Sequence, residues 1–477
     1  MTNQTDRIHI IPFINQSLGN SMYLVADPAS KLAVVIDPER DVEKFVTAAQ
    51  EHGYAIRYGL ETHLHADFIS GVHELQASLH AADPAAEYQI GASAAGNSEF
   101  PHRALNEGDV ISLGELELRV VSSPGHSREH ISFIAYAQGS DEPLALFSGG
   151  SLIVGGTGRT DLHGEQNTIP LARALFATMQ KFAALPDDLA VYPTHGVGSF
   201  CNTAAGGERT STIGKERQTN PFFQITDEEE FVRAATDGLG NFPDYYRRLP
   251  AVNRKGPRVL GGVPQPAALT PAQLQAEVQA GAVVLDVRDA DRFLAAHIPQ
   301  SFGIPVFAPL STWAGWVLPP EARILIVADA PAELNEAVLQ LIRVGFDDVL
   351  GYLDGGLAAW QAEGLPTTSV ENIAAPQLKE WMDAHSAPSI LDVRLQHEWD
   401  SGRLPGARLL EAGLLPEAAV EQVGSPQEPL LVHCKAGTRS TIAISLLERK
   451  GFANLLALDE GIEAWKQAGY QVVNGKN

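Results

Sequence analysis

Two histidines and an aspartate alternate with apolar residues in the segment His63-Leu64-His65-Ala66-Asp67, directly after the strand-like run IRYGLET. Where a strand ends in such a pattern, both imidazoles can point to one side of a loop, and a carboxylate can bind or orient the same metal ion. Other polar residues follow apolar runs later in the chain: His126, Asp161 and His195. Ligands delivered from successive strand ends are typical of a metal centre on a rigid scaffold. The N-terminal half therefore predicts a metal site.

Cys434 is the second candidate for chemistry. It lies in LVHCKAGTRS, between a strand-like run and the apolar helix predicted from TIAISLLERKG. Backbone N–H groups and the positive end of a helix favour a thiolate in such a loop, and Lys435 and Arg439 add positive charge. The same loop can hold the anionic sulfur species that the thiolate attacks or carries. We therefore predict that Cys434 is a nucleophile.

The other cysteine is Cys201, six residues after His195. Two readings stay open for it: a small buried hydrophobic residue, or a thiol beside the metal pocket that takes up sulfur or positions a substrate. Since the chain has 2 cysteines, a disulfide framework is excluded.

Composition limits the partners. The chain has 477 residues and a formal charge of −24, so its surface repels phosphate backbones and anionic lipid. We expect neither a nucleic-acid partner nor a membrane partner, because no run approaches the roughly 18 apolar residues of a membrane span. The N-terminal residues lack a secretory pattern, which predicts a cytoplasmic protein.

An internal repeat organises the C-terminal half. VVLDVR at 283–288 recurs as SILDVR at 389–394, and the segment that ends at Trp360 is echoed by one that ends at Trp465. The offsets of 105 to 106 residues predict two tandem copies of one domain of about 100 residues. Alternating strand and helix patterns favour a parallel sheet with helices on both faces in each copy.

Residues 1–245 carry short β-rich runs broken by Gly- and Pro-containing turns, which predicts mixed sheets with outer helices. The Pro-, Gly- and Arg-rich stretch 246–265 is interpreted as a linker that packs as it crosses over. The repeats are predicted at 266–368 and 374–477.

The N-terminal segment resembles the metallo-β-lactamase superfamily, whose motif is HxHxDH followed by a separated His, Asp and His. Here the sixth position is Phe68, which offers no lone pair to a second metal ion. ETHLHADFISG, PGHSREH and GRTDL resemble the persulfide dioxygenase branch in particular. That resemblance implies one Fe(II) per chain, held by His63, His126 and Asp161.

The resemblance also implies roles for neighbouring residues. His65, Asp67 and His195 would orient the ligands and hydrogen-bond the bound substrate, with His195 acting in catalysis. Arg159 is predicted to bind substrate. Cys201 is a candidate catalytic thiol of the same pocket.

The second repeat resembles the rhodanese family, on LDVRLQHEWDSGRLPGA and the six-residue loop CKAGTR. The loop length favours sulfur transfer over phosphoryl chemistry. Cys434 would carry the persulfide, and Lys435, Gly437 and Arg439 would bind it, whereas Asp392 and Arg394 are expected to be structural. The first repeat has Asp329 at an offset of 105 from Cys434, so we predict an inactive copy.

Together these features predict an αββα metallo-β-lactamase sandwich followed by two rhodanese-like α/β domains with parallel sheets. The leading hypothesis is an Fe(II) persulfide dioxygenase that converts a thiol persulfide and O₂ to sulfite and thiol, coupled to sulfur transfer between persulfide and sulfite or thiosulfate. The thiol carrier is left open between glutathione, coenzyme A and another small thiol, and a homo-oligomer is expected. The alternatives are a zinc thioesterase similar to glyoxalase II, fused to a sulfurtransferase, and a non-enzymatic docking role for the repeats.

Overall fold

The computed structural model describes residues 7–203 and 207–474. The chain divides into two compact units, one formed by residues 1–263 with 342–345 and one formed by 264–341 with 346–477. Each unit contains its own sheets.

The first sheet of the N-terminal unit has the strand order β1-β2-β3-β4-β5-β6. Its strands β1 to β3 pair antiparallel, and β3 to β6 pair parallel. The strands are β1 (His9–Asn15), β2 (Asn20–Asp27), β3 (Leu32–Ile36), β4 (Ala55–Leu60), β5 (Gln89–Ser93) and β6 (Arg103–Leu105).

The second sheet has the order β14-β13-β10-β9-β8-β7, and β11 and β12 form a separate two-stranded ribbon. Within the second sheet, β10 and β13 are parallel and the other neighbours are antiparallel. The strands are β7 (Val110–Leu113), β8 (Leu116–Ser122), β9 (Ile131–Ala137), β10 (Pro143–Gly149), β11 (Leu152–Ile153), β12 (Gly156–Thr157), β13 (Ala190–Pro193) and β14 (Ser211–Thr212).

Helices cover the outer faces of both sheets. One buried cluster joins apolar residues of the two sheets, a second packs the first sheet on α1 and α2, and a third packs the second sheet on α3 to α6. These layers confirm the predicted αββα sandwich. The helices are α1 (Glu43–His52), α2 (Val72–Ala82), α3 (Glu165–Ala183), α4 (Ile213–Thr219), α5 (Pro221–Gln224), α6 (Glu228–Thr236) and α7 (Tyr245–Lys255).

The stretch 246–265, which the sequence predicted as a packed linker, contains most of α7 and groups with the N-terminal unit up to residue 263. Leu249 and Asn253 of this helix are buried. Among the residues that the structure describes, no helix combines the length and apolar character that crossing a bilayer requires.

In the second unit the first repeat forms a parallel sheet of order β15-β19-β18-β16-β17. Its strands are β15 (Ala267–Leu269), β16 (Val283–Asp286), β17 (Phe302–Gly303), β18 (Ile324–Val327) and β19 (Val349–Leu353). Its helices are α8 (Pro271–Gln279), α9 (Ala290–Ala295), α10 (Leu310–Val317), α11 (Pro331–Arg343) and α12 (Gly356–Ala362).

The second repeat has the equivalent parallel order, β20-β24-β23-β21-β22. Its strands are β20 (Glu371–Ile373), β21 (Ser389–Asp392), β22 (Arg408–Leu409), β23 (Leu430–His433) and β24 (Leu455–Leu458). Its helices are α13 (Ala375–Asp383), α14 (Gln396–Asp400), α15 (Val420–Val423), α16 (Thr438–Arg449) and α17 (Gly461–Gln467). The predicted duplication with parallel sheets is confirmed.

The repeated LDVR segment supplies a buried ion pair in each copy. Arg288 lies 2.6 Å from the carboxylate of Asp286, and Arg394 lies at the same distance from Asp392. Each guanidinium also donates to a carbonyl oxygen of the next loop, that of Ala296 or Gly402. These side chains tie the end of the first long strand to the following loop.

Asp392→Asn should destabilise the second repeat by about 3–5 kcal/mol, because the buried Arg394 guanidinium then loses the charge that compensates it. Urea denaturation of the full chain measures the loss. The matched control is Asp383→Asn, which breaks the exposed pair with Lys379 and should cost less than about 1 kcal/mol. Equal effects of the two substitutions would contradict a structural role for the buried pair.

Candidate functional site

The candidate metal centre lies where several strands of the N-terminal unit end. His63 and His65 follow β4, His126 lies in the connection between β8 and β9, and His195 follows β13. All four side chains are at most 3% exposed. The sequence prediction that these strand ends meet at one place is therefore supported by the geometry.

Three imidazoles converge most closely. Ring nitrogens of His63, His126 and His195 all lie within 4.8 Å of one another, and the Nε2 atoms of His63 and His195 are 3.3 Å apart. Two other groups of close ligand atoms share members with this one: Asp37–His63–His65 and His65–Asp67–His195. The described residues thus offer a buried cluster of imidazole and carboxylate donors.

Hydrogen bonds on the far side of two rings fix which nitrogen carries the proton. His126 Nδ1 lies 2.9 Å from the carbonyl oxygen of Arg159, which can only accept, so Nδ1 is protonated. His195 Nδ1 lies 3.0 Å from Asn20 Oδ1, while the Asn20 amide nitrogen donates to Asp67. In both rings Nε2 is left with a lone pair that faces the cluster.

His63 also carries its proton on the outer nitrogen, Nδ1, where the acceptor is the hydroxyl of Thr62. Thr62 Oγ1 donates to Asp37 Oδ2 at 2.8 Å, so its lone pair is free to accept from His63 Nδ1, also at 2.8 Å. Burial lowers the pKa of His63 and His126 well below the usual range, and that of His195 to about 3. Three neutral rings therefore present Nε2 lone pairs to one region, and neutral imidazole is the form that binds metals.

His65 is held differently. Its Nε2 lies 3.1 Å from Asp37 and 3.4 Å from Glu61. Burial is the largest single effect and opposes protonation of this ring, but the carboxylates of Asp37, Glu61 and Asp67 together outweigh burial and raise the pKa of His65 to about 9. The neighbouring carboxylates therefore favour the protonated form of His65, and Phe68 stacks on its ring with ring centroids 4.1 Å apart. The Phe68 ring occupies the position at which the superfamily motif has its last histidine.

Asp161 belongs to none of the close ligand groups among the described residues. Both of its carboxylate oxygens accept from Arg159, whose Nε and Nη2 lie 2.7 Å away. The same guanidinium donates to the carbonyl oxygens of Phe200 and Gly240. The structure therefore brings His63 and His126 together with His195, and it engages the two predicted residues Arg159 and Asp161 with each other.

Glycines crowd the His126 ring. A Cβ atom on Gly150 would lie 2.4 Å from the ring, and one on Gly158 would lie 2.7 Å from it. A side chain at either position would displace the imidazole, so both positions need glycine for His126 to keep its place.

Sequence reasoning missed several residues of this cluster. Asn20 begins β2, Asp37 follows β3, and Asn253 of α7 donates to the carbonyl oxygens of His65 and Phe68. None of them lies in a motif. The one available signal was their type, since buried amides and carboxylates need polar partners.

Cys201 is fully buried beside this cluster. Burial raises the pKa of its thiol well above the usual range, and Asp67 acts in the same direction. Its backbone carbonyl accepts from the Arg159 N–H at 2.8 Å. The thiol is therefore protonated at neutral pH and a poor nucleophile in this state.

Cys434 occupies the turn between β23 and α16. Its Sγ accepts from the Gly437 N–H at 3.2 Å and lies 3.5 Å from Ser440 Oγ. Gly437 has φ of +99°, a backbone conformation that favours glycine, which lets its N–H turn toward the sulfur. The sequence-predicted cradle of loop and helix N-terminus is present around this thiol.

The two basic residues of the Cys434 loop, Lys435 and Arg439, have different surroundings. Arg439 is bound by the Glu398 carboxylate, with Nη2 to Oε1 at 2.8 Å. Although burial opposes ionisation, Arg439 lowers the pKa of Glu398 to about 2, so the pair stays ionised at neutral pH. Lys435 is exposed. In the first repeat the residues after β18 are Ala328 and Asp329, and the Asp329 carboxylate pairs with Arg292 at 2.6 Å.

Comparisons with known proteins match both parts of the chain that carry these residues. The rhodanese-like domain matches residues 270–363 and 374–468. The chain is 31% identical to the persulfide dioxygenase ETHE1 of Homo sapiens over 213 residues, which are 44% of this chain and 74% of that protein. It is also 31% identical to a hydroxyacylglutathione hydrolase of Rhodopseudomonas palustris, over 39% of this chain and 66% of that enzyme, just under two thirds of its length.

Among solved structures, a metallo-β-lactamase from Staphylococcus aureus is similar with a TM-score of 0.64 and 27% identity, over 72% of this chain and 98% of that one. The fold and sites thus define a metallo-β-lactamase-fold protein with two rhodanese-like domains. The chain belongs to the persulfide dioxygenase family.

The two thiols should differ in reactivity. Both thiols are buried, so the expected difference rests on their surroundings: the Cys434 sulfur accepts the Gly437 N–H at the N-terminus of α16, whereas burial raises the pKa of the Cys201 thiol. We therefore expect iodoacetamide at pH 7 to alkylate Cys434 first and to leave Cys201 unmodified in the folded protein. Mass spectrometry of the digested protein measures both sites. Both cysteines should react in guanidinium chloride, which serves as the control, and alkylation of Cys201 ahead of Cys434 in the folded protein would contradict this assignment.

Proposed function

We propose that this protein processes sulfane sulfur at two sites, a non-haem Fe(II) persulfide dioxygenase centre and a rhodanese sulfurtransferase centre. The first reaction is RSSH + O₂ + H₂O → RSH + H₂SO₃, in which the terminal sulfur is oxidised and O₂ is reduced. The observation that carries the proposal is Cys434, whose sulfur accepts the Gly437 N–H at the N-terminus of α16. That arrangement suits a thiolate that accepts and returns sulfur.

Sulfur transfer at Cys434 is a pair of displacements. The thiolate attacks the sulfane sulfur of a persulfide, so the Sγ–S bond forms, the S–S bond of the donor breaks and the donor thiolate leaves. Sulfite or another nucleophile then attacks the outer sulfur and releases the Cys434 thiolate, which gives thiosulfate when sulfite is the acceptor. No oxidant is consumed, and the loop N–H groups stabilise the negative charge on sulfur at each stage.

The residues of the N-terminal cluster fit a divalent transition metal. Imidazole nitrogens suit iron, zinc, copper and nickel. We propose His63, His126 and His195 as the ligands, with Asp161 as the carboxylate that the family resemblance offers in place of His195. A ferrous ion bound there would supply coordination positions for O₂ and for the persulfide sulfur.

The chain's own residues prepare this site. Arg159, Asn20 and Thr62 hold the protons on the outer ring nitrogens, so that the inner ones are free. Burial of the cluster excludes bulk water, which protects a reactive sulfur species from side reactions. The carrier thiol is proposed to be glutathione, coenzyme A or a similar small thiol.

A second candidate function is zinc-dependent thioester hydrolysis. Three histidines with an open fourth position are one of the donor sets of catalytic zinc, which activates a bound water. The hydroxyacylglutathione hydrolase relative points the same way. This candidate leaves the role of Cys434 unchanged.

Anaerobically prepared protein loaded with Fe²⁺ should consume O₂ when glutathione persulfide is added, and Cys434→Ser should retain this uptake. Cys434→Ser should lose exchange of sulfane sulfur between persulfide and sulfite, because the carrier thiol is gone. An oxygen electrode and a thiosulfate assay measure the two reactions. Hydrolysis of S-lactoylglutathione without persulfide-dependent uptake would favour the zinc thioesterase instead, and loss of both activities in Cys434→Ser would contradict separate sites.

The ligand set is tested by metal content. We expect His195→Gln to weaken binding of Fe²⁺ or Zn²⁺ at least tenfold, since a ligand is lost, and Asp161→Asn to leave the stoichiometry near that of the parent. Metal analysis after dialysis and the metal-induced rise in melting temperature measure this, with His63→Gln as the positive control. The reverse order of the two variants would place the carboxylate in the ligand set.

A further inference from the structure

A cavity of about 540 Å³ opens on the Cys434 loop inside the second unit. That volume lies within the range of pockets that bind small molecules. One side is formed by the loop and the start of α16, and the other by the first repeat. The lining includes Gly437 and Ser440 on the loop side, Asp289, Asp291 and Phe307 from the first repeat, and Asp459 and Glu460 after β24.

The lining is acidic. Asp289, Asp291, Asp459 and Glu460 are exposed carboxylates, and among the described residues that line this cavity there is no lysine, arginine or histidine. Of the two basic residues of the loop, Arg439 is already paired with Glu398, and Lys435 is not part of the lining. A ligand that enters therefore meets a negative potential.

An aromatic ring stands at the same opening. Phe307 is 78% exposed, an unusual exposure for a large apolar side chain, and it belongs to the cavity lining. Carboxylates combined with an accessible aromatic face are the groups that recognise an ammonium ion. Anionic acceptors, sulfite included, meet repulsion from the same carboxylates as they approach the Cys434 loop, so they would accept sulfur more slowly than a cationic thiol does.

We propose that the sulfur acceptor preferred by Cys434 is a small thiol that bears an ammonium group, and that the first repeat supplies the residues that select it. The acceptor thiolate attacks the outer sulfur of the Cys434 persulfide. The new S–S bond forms on the acceptor, the bond to Sγ breaks, and the Cys434 thiolate leaves, so electrons and atoms balance without a further reactant. This inference rests on the sulfur transfer proposed for Cys434 and gives the first repeat a part in it.

The test separates loading of Cys434 from its discharge. Cys434 is loaded with glutathione persulfide, excess donor is removed, and discharge by cysteamine and by 3-mercaptopropionate is followed in a single turnover at low salt. Because the two thiols differ in intrinsic reactivity, the quantity compared between proteins is the ratio of their rate constants. The ratio of cysteamine to 3-mercaptopropionate should fall about three- to tenfold in Asp289→Asn/Asp291→Asn and, in the parent, at 0.5 M KCl.

Two single substitutions complete the design. Phe307→Ala should slow discharge by cysteamine and leave 3-mercaptopropionate unaffected, because only the ammonium contacts the ring. Glu363→Gln, an exposed carboxylate of the same repeat outside the cavity lining, should leave the ratio unchanged. Asparagine is as good a helix N-cap as aspartate, so the double variant keeps the start of α9.

The outcomes separate the two proposals. If Cys434 takes up no sulfur from glutathione persulfide, the proposed sulfurtransferase function fails. If Cys434 is loaded but the ratio in Asp289→Asn/Asp291→Asn equals that of the parent, the acceptor class proposed here is overturned and the transfer function stands. A ratio that falls equally in Glu363→Gln would also overturn it, because net charge rather than the cavity lining would then decide.

Discussion

The N-terminal unit depends on one constraint: three buried imidazoles must keep their protons on the outer nitrogens. The acceptors that hold those protons come from separate parts of the chain, a loop carbonyl at Arg159, the amide of Asn20 at the start of β2 and the hydroxyl of Thr62 after β4. Two lone pairs 3.3 Å apart, on His63 and His195, repel each other unless a cation lies between them. Burial keeps all three rings neutral, because it lowers the pKa of each one.

The two repeats of the second unit share a sheet topology, and the cysteine loop is one of the places where they differ. Their buried Asp–Arg pairs have the same geometry, and Trp360 and Trp465 each donate to a carbonyl oxygen six residues later, both at 2.9 Å. The first repeat therefore forms the same ion pair and the same tryptophan hydrogen bond without a cysteine loop.

Much of this architecture could be predicted from the sequence. The LDVR repeat and the alternating patterns gave two parallel-sheet domains, because a buried strand followed by an amphipathic helix has few other ways to pack. The histidines at strand ends predicted which imidazoles lie close together in the structure. The hydrogen-bonding partners Asn20 and Asp37 could not be predicted, since Asn20 begins β2 and Asp37 follows β3 in segments that carry no local pattern for chemistry.

The pairing of Asp161 with Arg159 could not be predicted from the sequence, for a different reason. Arg159 is two residues away, and a local bidentate ion pair competes with any metal for the carboxylate. Spacing along the chain does not decide such a competition, because burial and backbone direction set the energies of both states. The acidic lining of the cavity at the Cys434 loop could not be predicted either, since its carboxylates come from two parts of the chain that are more than 100 residues apart.

The stacking of Phe68 on His65 has a consequence for any water-based chemistry at this centre. In a dinuclear site a hydroxide bridged between two ions is deprotonated by both, and it attacks a carbonyl from a fixed position. Phe68 stands at the sequence position of the motif's last histidine and stacks on His65, and its hydrocarbon ring offers no nitrogen to a second ion. If a single cation binds at this centre, it would activate a nucleophilic water alone, and its remaining coordination positions would be open to molecules other than water.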